Sequence, residues 1–174
     1  MNNNQPIFGW SAVWASYGWK SFLKDSAIPT TVSLFLCYLI KANDANIYDQ
    51  LKNLLNLGIS IVPAMVALIL AAYTIILSFI MGDKVSEIRQ TVAGKKLIQN
   101  LNSSFASCLF VSTISIIALI IVSCICNMKI EITQPEYVNY PVFFFVCYLL
   151  IYSVSILIGV VIDIFNSGQT TLLD

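Results

Sequence analysis

Three long apolar runs, separated by short polar stretches, constrain this chain more than any other feature. Residues 59–81, 104–126 and 141–165 are almost free of charge, the last interrupted only by Asp163 near its end. A hydrocarbon core of about 30 Å needs roughly 20 helical residues to cross it, so each run reads as a spanning helix. A fourth run, SAIPTTVSLFLCYLI from Ser26 to Ile40, is shorter. As a helix it covers only about 22 Å. It gains length if it extends back through Phe22 and Leu23 with Lys24 snorkelling to the boundary. Pro29 suits the first turn of such a helix.

Composition agrees. Of the 174 residues, 58% are hydrophobic and 10% charged, against roughly 25% charged in an ordinary soluble domain. So few charges cannot cover a water-facing surface, and the bilayer must be the main solvent. Nine basic residues balance nine acidic ones, which leaves no electrostatic case for nucleic-acid binding. The N-terminal MNNNQPIFGWSAVWASYGWK lacks the pattern of a secretory signal, and insertion is expected to rest on the internal helices.

The distribution of basic residues decides whether the weak run spans. With four spans, Lys20, Lys24, Lys84, Arg89, Lys95 and Lys96 share one side, and Lys41, Lys52 and Lys129 the other. With three spans the bias reverses. The expected fold is therefore all-α: an integral membrane four-helix bundle in the inner (plasma) membrane, with both termini cytoplasmic. It forms a single membrane domain over 1–174, with spans at about 26–41, 59–81, 104–126 and 141–165 and a cytoplasmic loop at 82–103.

The connecting segments carry their own patterns. In residues 1–25, Trp10, Trp14, Tyr17 and Trp19 mark an interfacial amphipathic helix on the cytoplasmic leaflet, where aromatic rings favour the membrane boundary. In ANDANIYDQLKNLLNLG, residues Ile47, Leu51, Leu54 and Leu55 share a face; the pattern predicts a second short helix, capped by Asn43 or Asp44 and ended by Gly58. NMKIEITQPEYVNYP alternates at Met128, Ile130 and Ile132 and predicts a short extended segment. Tyr137, Tyr140 and Phe143 to Phe145 then form an aromatic belt at the entry of the last span. In the 82–103 loop, Gly94 is expected to break a helical pattern. Lys84, Arg89, Lys95 and Lys96 are the candidates for docking a cytoplasmic protein, the alternative being a solvated connector.

Within the second span, Ser60, Ala64, Ala67, Ala71, Thr74 and Ser78 recur at spacings of 4, 3, 4, 3 and 4. That mean of about 3.5 residues is the repeat of left-handed helix packing. Apolar burial does not drive helix association in lipid; close approach and interhelical hydrogen bonds do, and small residues permit both. The stripe is a contact face, either within one bundle or between copies. On the third span Ser104, Cys108, Ser115 and Ala118 fall near one face, with Ser112 beside it. On the fourth, Tyr148, Tyr152, Ser155, Gly159 and Asp163 form a polar stripe that could pack or line a wet path. Asp163 is read as an interfacial or packing residue, or as a functional one that faces a ring centre or pairs with Lys84, Lys95 or Lys96.

Chemistry is sparse. The chain has no histidine, and its five cysteines, Cys37, Cys108, Cys124, Cys126 and Cys147, sit in apolar runs without a CxxC pair. They read as small buried residues, not as metal ligands or disulfides. No phosphate loop, selectivity filter or voltage sensor is present. The expectation is a non-enzyme that needs no metal or cofactor.

The runs IPTTVSLFLCYLI, SIVPAMVALILAAYTIILSFIMGDK and VFFFVCYLLIYSVSILIGVVIDIF, with an aromatic N-terminal segment and a modestly basic central loop, resemble small four-helix membrane components of bacterial antiphage defence operons. Examples are the Kiwa membrane subunit and cyclic-nucleotide-triggered pore-forming effectors. The resemblance is one of layout and carries no residue roles. It implies an inner-membrane homo-oligomer in the lipid bilayer, working with a cytoplasmic protein partner. Three functions compete: an oligomeric scaffold or sensor docking that partner, a pore-forming or holin-like depolarising effector, and an assembly subunit of a larger membrane complex.

Overall fold

The computed structural model describes residues 10–81, 91–128 and 135–173, with side chains described over 22–78, 98–128 and 135–165 and at a few residues beside them. Four helices make up this part of the chain: α1 Trp10–Ala42, α2 Ile47–Met81, α3 Val92–Asn127 and α4 Pro135–Leu173. Each contains a segment long and apolar enough to cross a membrane: Phe22–Ala42, Ile47–Ser78, Ile98–Asn127 and Pro135–Phe165. By length and composition the four helices suit a multi-pass membrane bundle, and its outer surface carries large apolar side chains on every helix, among them Leu34, Leu68, Ile117 and Ile158.

The helices pack as a rhombus. α3 and α4 form the central pair; α1 lies against α4 and α3, α2 against α3 and α4, and α1 and α2 barely touch. The core has two layers. Toward the α1–α2 turn, Leu51, Leu55, Val62, Leu119, Phe143 and Val146 pack together. Toward the other end the cluster contains Ile69, Phe105, Cys108, Tyr152, Ile156 and Val160.

Several sequence-based boundaries are corrected. The amphipathic stretch after the first span is not a separate helix but the start of α2. Ile47, Leu51, Leu55, Gly58, Val62, Met65 and Ile69 are all buried, so one inward face runs unbroken from that stretch into the span. Gly58 does not end a helix. A Cβ there would lie 2.9 Å from Leu150 Cδ2 and 3.0 Å from Leu119 Cδ1. The glycine is what lets α2 approach α3 and α4 so closely. The cap of α2 is Asn46, whose Oδ1 accepts from the Tyr48 N–H at 3.0 Å, not Asn43 or Asp44. Asp44 instead ends α1 in the left-handed region (φ 48°). Its N–H and that of Ala45 return to Lys41 O and Ile40 O, the two bonds of a Schellman ending.

The N-terminal aromatic segment is likewise continuous with its span, because α1 runs unbroken from Trp10. No break separates an interfacial helix at residue 25, and Pro29 lies inside the helix, not in its first turn. The Thr30 and Thr31 hydroxyls donate to Ser26 O and Ala27 O in the turn around it, each at 2.8 Å. Gly94 does not break α3. Thr91 caps that helix, and its hydroxyl accepts from the Gly94 N–H at 3.0 Å. α4 begins at Pro135, six residues before the expected Pro141, and the predicted extended segment falls largely on residues 129–134, outside the described residues.

Candidate functional site

The small-residue stripe of α2 faces away from the bundle. Ser60, Ala64, Ala67, Ala71, Thr74 and Ser78 are all exposed. Two residues along a helix is a rotation of about 200°, so with Val62, Met65 and Ile69 turned inward, Ser60, Ala64 and Ala67 must turn outward. The stripe is therefore not a seam within this chain. Its hydroxyls are already paired: Ser60 donates to Asn56 O, Thr74 to Leu70 O and Ser78 to Thr74 O, at 2.8–3.0 Å. The result is a smooth outer strip that exposes little unpaired polarity to lipid.

The inner polar groups come chiefly from the other three helices. On α3, Cys108, Ser112 and Ser115 are fully buried, while Ser104 and Ala118 are half-buried. Ser115 Oγ lies 2.9 Å from Ser153 Oγ on α4, and both are buried. Each hydroxyl also has a carbonyl one turn back within reach, Val111 O and Leu149 O. With one proton apiece, one serine bridges the helices and the other donates to its own backbone. Ser33 and Ser112 are fully buried too; among the described residues no oxygen or nitrogen bonds either Oγ, and Ser112 meets the weakly bonding thiol of Cys108 one turn back.

The polar stripe predicted on α4 splits in two. Tyr152 is buried and Tyr148 half-buried, whereas Gly159 and Asp163 are exposed and Ser155 lies between. The stripe keeps to one side of the helix, and the split reflects what lies opposite: Phe22 and Ser26 of α1 cover Tyr152 and Tyr148, whereas a Cβ at Gly159 would meet nothing within 4 Å. The two tyrosines stack on each other, ring centroids 5.5 Å apart and planes 10° apart. Tyr148 Oη lies 2.8 Å from Ser26 Oγ, and Phe22 meets Tyr152 edge-on at 5.7 Å. These rings fasten α1 to α4. Asp163 is linked to Ser104, whose hydroxyl donates to its Oδ2 at 2.6 Å. Nearby in sequence, the Tyr73 hydroxyl is 3.3 Å from Asn102 Oδ1, so α2, α3 and α4 are joined by polar side chains at the end opposite the α1–α2 turn.

Of the proposed docking cations, Lys95 is exposed; Lys84 and Arg89 lie outside the described residues, as does the side chain of Lys96. The same holds for the side chains of Trp10, Trp14, Tyr17 and Trp19. The cysteines are all free, but only Cys108 and Cys147 are buried; Cys124 points outward, because residues two apart on a helix cannot share the inner face with Cys126. Among the described residues no three His, Cys, Asp or Glu side chains converge.

Sequence reasoning passed over Ser26, Ser33 and Ser153. A single serine in an apolar run gives no periodic signal, and its role depends on which neighbour lies opposite. Tyr48 was missed for the same reason: its hydroxyl donates to Cys126 O across helices at 2.8 Å. Compared with protein-family models, with curated proteins and with solved structures, the chain matches none.

Proposed function

We propose that this chain is a non-enzymatic inner-membrane subunit that associates with copies of itself along the outward face of α2. It would present the 82–103 region, with both termini, to a cytoplasmic protein. The resemblance in layout to antiphage membrane components suggests that setting. The observation that carries the reading is the outward position of Ser60, Ala64, Ala67, Ala71, Thr74 and Ser78. A helix that only met lipid has no need of a flat strip, whereas a second helix does, since close approach is the main source of attraction between helices in a bilayer. The alternative of a pore draws less support, because Tyr148 and Tyr152 are engaged in fastening α1 to α4.

The test is the native mass in mild detergent, with Ala67→Leu and Ala71→Leu as variants. The expected result is a multimer that falls to monomer in the double variant while helical content stays unchanged. A monomeric wild type, or a multimer indifferent to both leucines, refutes the α2 seam. Loss of a co-purifying soluble protein on Arg89→Glu with Lys95→Glu checks the docking half separately.

A further inference from the structure

The outward face of α2 carries two side chains that hydrocarbon cannot satisfy, Asn53 and Asn56. We propose that they form a polar lock between two copies of this chain, each copy's carboxamides pairing with those of the other across a two-fold axis along the membrane normal. The lock rests on the α2 seam proposed above and names what holds it in register.

Depth follows from the packing of α2 on α3. The two helices run antiparallel, and their contacts fix how far one is slid along the other. A Cβ at Gly58 would lie 3.0 Å from Leu119 Cδ1. The rings of Tyr73 and Phe105 are 5.1 Å apart, centre to centre, and the Tyr48 hydroxyl reaches Cys126 O at 2.8 Å. Helices of equal rise pass each other residue for residue, so the apolar run 104–126 of α3 lies beside about 51–73 of α2. The apolar run of α2 itself begins only at 59. Its first polar turns are thus drawn into the slab that α3 defines. The same Cβ at Gly58 would also meet Leu150, well inside the α4 run 141–165. Asn56, two residues away, sits about 8 Å below the level at which the α3 run ends.

Both asparagines are exposed. At about 100° per residue they fall in the sector of Ser60, Ala64 and Ala67, opposite the inward Leu51, Val62 and Met65. Asn56 O accepts from Ser60, but neither carboxamide has a hydrogen-bond partner among the described residues. An asparagine is too short to snorkel out of such a depth, unlike Lys52. An amide left unbonded in hydrocarbon costs free energy, so this face calls for a partner.

Chemistry selects a second copy. A carboxamide holds both donor and acceptor and is complementary to itself. Copies inserted the same way up and related by a two-fold axis bring like residues to one level on either side of the seam. Asparagines meeting there can bond reciprocally. Toward the boundary, Asp49 and Lys52 are exposed with opposite signs, and the same axis offers each aspartate the other copy's lysine. The flat strip from Ser60 onward lets the two backbones come close.

Energy transfer between two labelled pools of the full-length protein, diluted with detergent, reads the association. Asn53→Leu with Asn56→Leu should weaken it about tenfold or more and leave helical content unchanged, since leucine suits lipid. Asn56→Gln, which keeps the carboxamide, should stay within about threefold of wild type. In a chain whose own cysteines are replaced, Ser60→Cys should form an interchain disulfide in vesicles treated with copper phenanthroline. Ile61→Cys, on another side of α2, should not, and the two leucines should abolish the Ser60→Cys cross-link. A wild type that never associates overturns both the lock and the seam. Association that survives the two leucines but is lost with Ala67→Leu and Ala71→Leu overturns the lock alone. Association lost with the asparagine changes and kept with the alanine changes upholds the lock and overturns the small-residue seam.

Discussion

At the scale of single residues, the interior serines fall into two classes that the sequence cannot separate. Ser153 reaches Ser115 across the α3–α4 seam, while Ser33 and Ser112 are buried with no oxygen or nitrogen partner among the described residues. An unmade hydrogen bond leaves a desolvated hydroxyl, at a cost of about 1–3 kcal/mol. A bond made between membrane helices contributes only about 0.6 kcal/mol on average. The signs of substitution should therefore differ. Ser33→Ala and Ser112→Ala are expected to be neutral or to stabilise the bundle by up to ~1 kcal/mol, and Ser153→Ala to destabilise it by about 0.5–1 kcal/mol. Reversible denaturant unfolding in micelles reads all three. Equal losses at the three sites would mean that Ser33 and Ser112 have partners after all.

At the scale of elements, Gly58 decides how α2 joins the bundle. A methyl group there would press on the ends of Leu119 and Leu150. These are flexible side-chain tips, and alanine also gains about 0.8–1 kcal/mol of helix propensity over glycine. Gly58→Ala should thus stay within about 1 kcal/mol of wild type. Gly58→Leu cannot be absorbed and should destabilise by about 3 kcal/mol or more, or drive α2 off the α3–α4 pair. A thermal melt followed by circular dichroism distinguishes them, and a Gly58→Leu protein with an unchanged melt would remove the close-approach role. The same glycine shows what was legible in the sequence. The four apolar runs could be read directly, because length and hydropathy are local properties. The helix ends could not. Gly58, Gly94 and Pro29 all look like punctuation, yet each lies inside a helix, since packing and the Thr91 cap override local preference. The facing of the α2 stripe was equally hidden: periodicity finds a face, but the partner of that face is set by the other helices.

At the scale of the whole molecule, α1 is the weak member. Its candidate span is the least apolar of the four and, among the described residues, the least buried within the bundle. Ser26, Thr30, Thr31 and Ser33 further dilute its apolar character. Two features offset this. The threonine hydroxyls return to the backbone of α1 itself, and Ser26 and Phe22 engage Tyr148 and Tyr152 of α4. A marginal helix can cross when its polar groups find partners on a neighbour that already spans. This yields a topological prediction. Cysteines placed at Ser11, Asn43 and Thr91, in a chain whose own five cysteines are replaced, should be labelled by an impermeant thiol reagent from alternate sides. Ser11 and Thr91 should share one side, the cytoplasmic one by the distribution of basic residues, and Asn43 should lie on the other. Labelling Ser11 together with Asn43 would show that α1 does not cross. The contacts of Phe22 and Ser26 with α4 would then have to form at the surface of a three-span protein. Adding Tyr148→Phe to the Ser11 variant tests the link between packing and crossing. Loss of the Tyr148 hydroxyl should raise the fraction labelled from the wrong side if α4 helps to hold α1 in the membrane, and leave it unchanged if α1 inserts on its own apolar length.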